Sequence, residues 1–298
     1  MYLKNLIAVL VALILLSCMS AAAKTVKDQL GRNVDVPDEP KRIVALAPSI
    51  TEIIFQLNQA HRLKGVTQFS NYPPEALALP KVGSYIRLDL ERIVALDPDL
   101  CIATKDGNPK EIVARLQSMK IPVYVVDPRN LDTVIETILE IGQLLNAAER
   151  ANLLAKTMGN RLQRVMKIAA QTEKRPRVFI QIGISPIISV GPKTFVHDLI
   201  VKAGGINVAA GSAAYPRYSR EQVLALSPEI IIITSMARQA DFEKVKKDWR
   251  QWSNLPAARN QSIFLVDSDV FNRPSPRLIN GLELLVELIH PESFEQNQ

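Results

Sequence analysis

This 298-residue chain carries two cysteines, two tryptophans and three histidines, so it has little of what disulfide, stacking or metal chemistry usually uses. Cys18 lies in the leading apolar segment, which leaves Cys101 alone in the rest of the chain. One thiol cannot close an internal disulfide. Cys101 sits inside the apolar run Leu100 to Ala103, which predicts an inert core residue. His61, His197 and His290 are far apart in sequence and lack metal-ligand spacing. The patterns GxSxG, CxxC and HExxH are missing, and no glycine-rich phosphate loop follows a strand. Gly204-Gly205 follows a helical stretch and reads as its stop. Carboxylates are plentiful, but no pair is marked out for acid–base work. The residues therefore point away from an enzyme. The formal charge of +6 is spread along the chain without a long basic run, which gives no footing for nucleic acid.

A membrane-spanning run is also missing. The leading apolar run, Leu6 to Leu16 behind Lys4, is too short to cross a bilayer and suits a secretory signal over residues 1–23. Two exits are open. Cleavage after Ala21-Ala22-Ala23 would release a soluble chain. Leu15-Leu16-Ser17-Cys18 resembles a bacterial lipobox, which would place lipid on Cys18. Either way about 275 residues are left, enough for two domains with real cores.

What the chain does have is a repeat. The segment Glu91-Arg-Ile-Val-Ala-Leu-Asp-Pro-Asp-Leu-Cys-Ile-Ala-Thr104 returns as Glu221-Gln-Val-Leu-Ala-Leu-Ser-Pro-Glu-Ile-Ile-Ile-Ile-Thr234. Each copy reads as a short helix, a proline turn and a buried strand. A tyrosine precedes each glutamate by six residues, Tyr85 and Tyr215. Two similar lobes follow, each offering one ring and one acid at matching places.

The pattern around the repeat supports this. Residues 24–40 read as a leading strand or hairpin. Arg42 to Leu46, Leu63 to Val66, Leu100 to Ala103 and Val123 to Val126 read as buried strands. Ser49 or Thr51 is the expected cap of the helix after the first of these. Strands alternating with helices imply a mainly parallel sheet covered on both faces. Residues 147–173 lack proline and keep helical apolar spacing, so one helix of about 25 residues, near 38 Å long, is expected there. Alternation then resumes with Arg177 to Ile180, Ile230 to Thr234 and Ile263 to Val266. A final helix is expected over Ser275 to Ile289, with a loose tail over 290–298. The expected fold class is α/β, with two Rossmann-like lobes (24–146 and 174–298), mainly parallel sheets and one long joining helix.

Candidate site residues come from the loops. Tyr85 and Tyr215 either wall a cleft between the lobes or pack their own loops. Rings of this kind bury roughly 150–250 Å² each when covered, so flat apolar guests suit them. Phe69, in a turn-rich loop, is a ligand contact or a staple. Tyr72, ahead of two prolines, reads as structural. Ser268 to Pro276 places Asp269, Phe271 and Arg273 together; they line a ligand site, or Asp269 and Arg273 pair to shape the loop. Trp249 and Trp252, three apart, read as core on one helix face. Glu91 and Glu221 each open a helix, where the dipole favours a carboxylate; that reading is adequate alone.

Ser70-Asn-Tyr-Pro-Pro74, Leu90-Glu-Arg-Ile-Val-Ala-Leu-Asp-Pro-Asp99, Ser219-Arg-Glu-Gln-Val-Leu-Ala225 and Arg273-Pro-Ser-Pro-Arg277 carry a resemblance. From about Arg42 to Glu287 the chain resembles the periplasmic substrate-binding proteins of class III ABC importers, which carry cobalamin, haem or iron–siderophores. It looks most like the family's cobalamin binders. The resemblance implies a periplasmic capture protein, monomeric when free, that holds a corrinoid as cargo without a catalytic residue, a metal or a resident cofactor. It implies that Phe69, Tyr85, Tyr215, Asp269, Phe271 and Arg273 contact the corrinoid. Glu91 and Glu221 would dock onto a two-fold symmetric permease with its ATPase. Cobalamin binders of the family often have tryptophan where this chain has Tyr85 and Tyr215, and further rings near Thr104 and Ile188. Haem-binding relatives use a tyrosine near Tyr85 as an iron ligand, so haem or a siderophore is the alternative cargo.

Overall fold

A computed structural model describes residues 23–234 and 240–292. Residues 1–22 of the expected leader, Cys18 among them, and most of the expected tail lie outside them. No helix among the described residues is long and apolar enough to cross a membrane.

The chain opens with an antiparallel hairpin of β1 (Ala23–Lys27) and β2 (Asn33–Pro37). Asp28 organises its turn, accepting from the backbone N–H groups of Leu30 and Arg32 and pairing with the Arg32 guanidinium at 2.6 Å. The first lobe follows. Strands β3 (Ile43–Ala45), β4 (Leu63–Val66), β7 (Leu100–Thr104) and β8 (Val123–Val126) form a parallel sheet in the order β4-β3-β7-β8. β8 is buried throughout and β7 in all but its last residue, as unbroken apolar runs require when helices cover both faces. A short hairpin, β5 (Gly83–Ser84) with β6 (Arg87–Leu88), projects from this lobe. Its helices are α1 (Pro48–Gln56), α2 (Leu90–Ala95), α3 (Lys110–Ser118) and α4 (Leu131–Leu144). Neither Ser49 nor Thr51 caps α1, which starts on Pro48 with Ala47 as the capping residue. Proline at the first turn fixes φ where the N–H has no partner to lose. Thr51 is spent instead on a buried hydroxyl contact with Ser70 at 2.9 Å. A reciprocal capping box of Asn130 and Thr133 starts α4.

The joining helix α5 is Ala148–Ala170, about 35 Å long at 1.5 Å per residue. Met158, Leu162, Val165 and Ile168 form its buried stripe. Arg161 on its outer side pairs with Glu283 of the last helix, α11 (Leu278–Ile289).

The second lobe differs from expectation in being mixed. Its sheet runs β12 (Arg217–Tyr218), β10 (Ile187–Ser189), β9 (Arg177–Gly183), β13 (Ile230–Ile233), β14 (Ile263–Leu265), and β11 (Ile206–Asn207) extends one edge of β9. β10 is antiparallel to both neighbours, because a tight turn after Gly183 returns the chain beside β9. Around the sheet lie α6 (Phe195–Lys202), α7 (Arg220–Leu226), α8 (Ala240–Arg250), α9 (Pro256–Arg259) and α10 (Ser268–Phe271). Trp249 is core, and its indole N–H donates to buried Gln181 at 2.8 Å. Trp252 is not core. Helix α8 ends at Arg250, so the three-residue spacing no longer places both rings on one face, and Trp252 stays exposed. Trp249→Phe is expected to lower stability by about 1–3 kcal/mol, because it leaves the buried Gln181 amide short of a partner; a denaturant titration checks it.

The repeat is equivalent in three dimensions. α2 and α7 each end in a left-handed residue, Asp97 (φ 47°) and Ser227 (φ 44°). Asp99 accepts from the backbone N–H groups of Lys41 and Arg42, and Glu229 accepts from that of Arg177. The Arg42 guanidinium donates to the carbonyls of Leu96 and Asp97, and that of Arg177 to Leu226. Each acid thus ties one strand start to the next, and each arginine closes a helix end.

One apolar cluster runs through both lobes, from Ile43 and Ile102 through Leu162 to Ile180 and Ile232, and each lobe has a second cluster of its own. Polar contacts cross as well: Asp198 of α6 accepts from the Leu131 N–H at the start of α4, and Lys202 pairs with Asp132.

Candidate functional site

A cleft of about 400 Å³ opens between the lobes at the carboxyl ends of the strands. This is where open α/β sheets place their ligands, since loops that leave the strands converge there. From the first lobe come Ala47 to Ser49 after β3, Phe69 after β4, Thr104 at the end of β7 with Asp106 after it, and Asp127 after β8. From the second come Ile182 of β9, Phe195 at the start of α6, Tyr215 and the segment after β14.

Tyr85 stands at the tip of the β5–β6 hairpin. Buried Asn108 fixes that tip, donating to the Tyr85 carbonyl at 2.7 Å and to the Leu46 carbonyl at 2.8 Å. The Tyr85 ring lies across Gly107 and meets Phe69 edge-on, with centroids 6.4 Å apart. Desolvation raises the Tyr85 phenol above its ordinary range. Gly107 has φ +115°, and a Cβ there would stand 2.6 Å from the tyrosine ring. Gly107→Ala is expected to cost about 1–2 kcal/mol and to displace the ring; the denaturation midpoint and the near-ultraviolet tyrosine signal check it.

Tyr215 contributes from the opposite lobe. Its phenol is also raised, first by desolvation and then by the Asp106 carboxylate, with Arg129 opposing. Phe69, Ile86 and Tyr215 are 42%, 53% and 46% exposed. These are among the largest exposed apolar groups of the molecule, and all three line the same cleft. Thr104 also lines it, whereas Ile188 stands on β10 against Gly183.

Asp269 and Arg273 lie in the cleft lining and pair with each other at 2.5 Å. Their partners extend beyond that loop. Arg273 also donates to Glu52 at 2.9 Å, Asn71 at 2.8 Å and the Phe69 carbonyl at 3.0 Å, all in the first lobe. Asn71 donates back to Asp269 at 2.7 Å. Glu52, 1% exposed, accepts in addition from Ser275 at 2.6 Å and from Arg277 at 2.7 and 2.9 Å. Arg277 covers the face of Tyr72 at 3.9 Å, which gives Tyr72 its structural place. Glu52, Asn71 and Arg277 were not singled out in the sequence. Glu52 alone could have been, as an acid inside an otherwise apolar helix.

Phe271 is a correction. It is fully buried in the shared core and does not face the cleft. Helix α10 turns its side chain inward while Ser268, Asp269 and Asn272 face the opening. Glu91 and Glu221 are far from the cleft lining in role: each is exposed in the first turn of its helix. Hydrogen bonds from its own backbone N–H and from Ser219 hold the Glu221 carboxyl below the usual range. Burial, with Asp99 adding to it, pushes the Cys101 thiol up to about 12, as an inert core residue requires. His197 contacts Asn207 and His290 approaches Thr172, so the two serve separate packing sites. Among the described residues no group of three metal-binding side chains converges.

The chain is 34% identical over 269 residues to the vitamin B12-binding protein of Vibrio parahaemolyticus, covering 89% of this chain and 95% of that one. It superposes on the periplasmic vitamin B12 binding protein BtuF of Vibrio cholerae with a TM-score of 0.77 and 28% identity, over 88% of this chain and 99% of that one. A TM-score of 0.75 and 27% identity relate it to the periplasmic heme-binding protein RhuT of Roseiflexus sp. RS-1, over 87% and 99% of the two chains. The periplasmic binding protein family profile matches residues 43–270. With two lobes, a cleft at the strand ends and this match over most of its length, the chain belongs to the periplasmic binding protein family.

Proposed function

We propose that this protein captures cobalamin or a related corrinoid in the inter-lobe cleft and hands it to an inner-membrane ABC importer. The observation that carries the reading is a set of rings lining one opening: exposed Phe69 and half-buried Tyr85 from one lobe, and exposed Tyr215 from the other. An exposed ring costs solubility unless something covers it, and a macrocycle is wide enough to touch both walls. The likeness to vitamin B12-binding proteins supports the same cargo. Export by the leading apolar segment, to the periplasm or to a lipid anchor at Cys18, is part of the proposal.

Binding of cyanocobalamin by the purified protein, followed by calorimetry and absorbance, tests the function. Saturable one-to-one binding supports it. A shifted Soret band with haem and no response to cyanocobalamin overturns it in favour of a haem carrier with Tyr85 as iron ligand.

In this reading Glu91 and Glu221 dock the loaded protein on the permease. Both are exposed, and both open equivalent helices in equivalent lobes. Two such acids suit a partner with two-fold symmetry, where rim charges steer encounter and register. Glu91→Arg with Glu221→Arg is expected to leave cobalamin binding intact and to reduce uptake at least about tenfold. Undiminished uptake in cells that carry the double variant removes the docking role.

A further inference from the structure

Among the described residues lining the cleft, the acidic side chains are Asp106, Asp127 and Asp269, and the cation is Arg273. The two Nη atoms of Arg273 carry four N–H groups. They meet Glu52, Asn71, the Phe69 carbonyl and Asp269, so all four are engaged within the protein. The nearby cations behind the rim are engaged too. Arg129 holds Asp106 at 2.7 Å and Asp127 at 2.6 Å, and Lys105 holds Asp127 at 2.8 Å.

The carboxylates are not exhausted in the same way. An ionised carboxylate has about four acceptor positions. Asp127 receives one cation on each oxygen, and Asp106 receives Arg129 on both. Each therefore has acceptor positions left over, and each lines the opening. The cleft thus offers spare acceptors, while the four Nη donors of Arg273 are committed.

We infer that Asp106 and Asp127 are specificity-determining residues that accept hydrogen bonds from neutral amide N–H groups at the edge of the guest and disfavour guests with anionic edges. This inference rests on the proposed function and refines it. A corrinoid carries primary acetamides and propionamides around its ring, whereas haem presents two carboxylates and a catecholate siderophore presents several negative oxygens. An anionic edge would meet carboxylate oxygens in the lining, while Arg129 and Arg273, which balance them, are already paired. Arg129 acts as a positioning residue that keeps the two carboxylates side by side.

The experiment compares cyanocobalamin with its monocarboxylic acids, in which one peripheral propionamide has been hydrolysed to a carboxylate. Calorimetry is run with both on the full protein at neutral pH. The wild type should prefer the parent by roughly 10–100-fold for at least one of the acids. Asp106→Asn with Asp127→Asn frees Arg129 and Lys105, so the preference should shrink to within about threefold. A ratio is read, so a general loss of affinity from loosened structure would not imitate the effect. Equal binding of the parent and every acid by the wild type overturns this inference alone. So does a preference that the double variant leaves unchanged. Failure of the parent to bind at all overturns the proposed function, and this inference falls with it.

Discussion

Tyr85→Ala combined with Tyr215→Ala is expected to weaken cyanocobalamin binding by about 100–1000-fold. Each ring would give up on the order of 60–80 Å² of contact with a flat guest, and at roughly 25 cal/mol per Å² that is about 1.5–2 kcal/mol per ring. The two rings stand in different lobes, so their losses should add to within a few tenths of a kcal/mol. Calorimetry on the single and double variants checks both size and additivity. Unchanged affinity in the double variant would remove the cleft walls from the binding site. Tyr85→Trp and Tyr215→Trp should act in the opposite sense, since a larger ring covers more of the guest.

Glu52→Gln is expected to have the largest effect on stability. The carboxylate is 1% exposed and lies among Arg273, Arg277 and Ser275. Removal of its charge leaves Arg277 without its carboxylate and Arg273 with Asp269 alone, in a place where charge is poorly hydrated, which costs about 3–5 kcal/mol. For a chain of this size that corresponds to a fall in melting temperature of roughly 10 °C. Thermal unfolding followed by circular dichroism checks it. Glu52→Leu with Arg273→Met and Arg277→Met should recover much of the loss, because an apolar cluster of similar volume avoids the burial of charge. A Glu52→Gln protein as stable as the wild type would show the cluster to be well hydrated and energetically minor.

Much of this architecture is legible in the chain because its signals are local. Short, β-branched apolar runs such as Val123–Val126, repeated between helical stretches, suit strands covered on both sides. The long proline-free stretch gave the joining helix to within a few residues at each end. The duplicated Glu…Pro-Asp/Glu segment announced two lobes, and its acids and arginines hold matching positions. The antiparallel β10 was not legible, because a three-residue strand beside a tight turn carries no periodicity of its own. Trp252 shows a related limit: three-residue spacing places two rings on one face only while the helix lasts, and this one ends at Arg250.

The cleft was legible as a set of rings on loops. Its polar chemistry was less so. Asp269 and Arg273 were found as neighbours in one loop, but their partners Glu52 and Asn71 come from about 200 residues earlier. Pairings of that separation are set by tertiary packing and leave no trace in spacing. Phe271 shows the converse error. One residue in a four-residue helix can face either way, and only the packing of α10 on α11 decides.

Glu52 fastens the two halves at the base of the opening, and the shared apolar core backs it up. An incoming guest therefore meets walls that already stand near their final separation. Capture then spends little of its binding free energy on rearrangement. Diffusion and orientation set how fast guests arrive, so good and poor guests differ chiefly in residence time once seated.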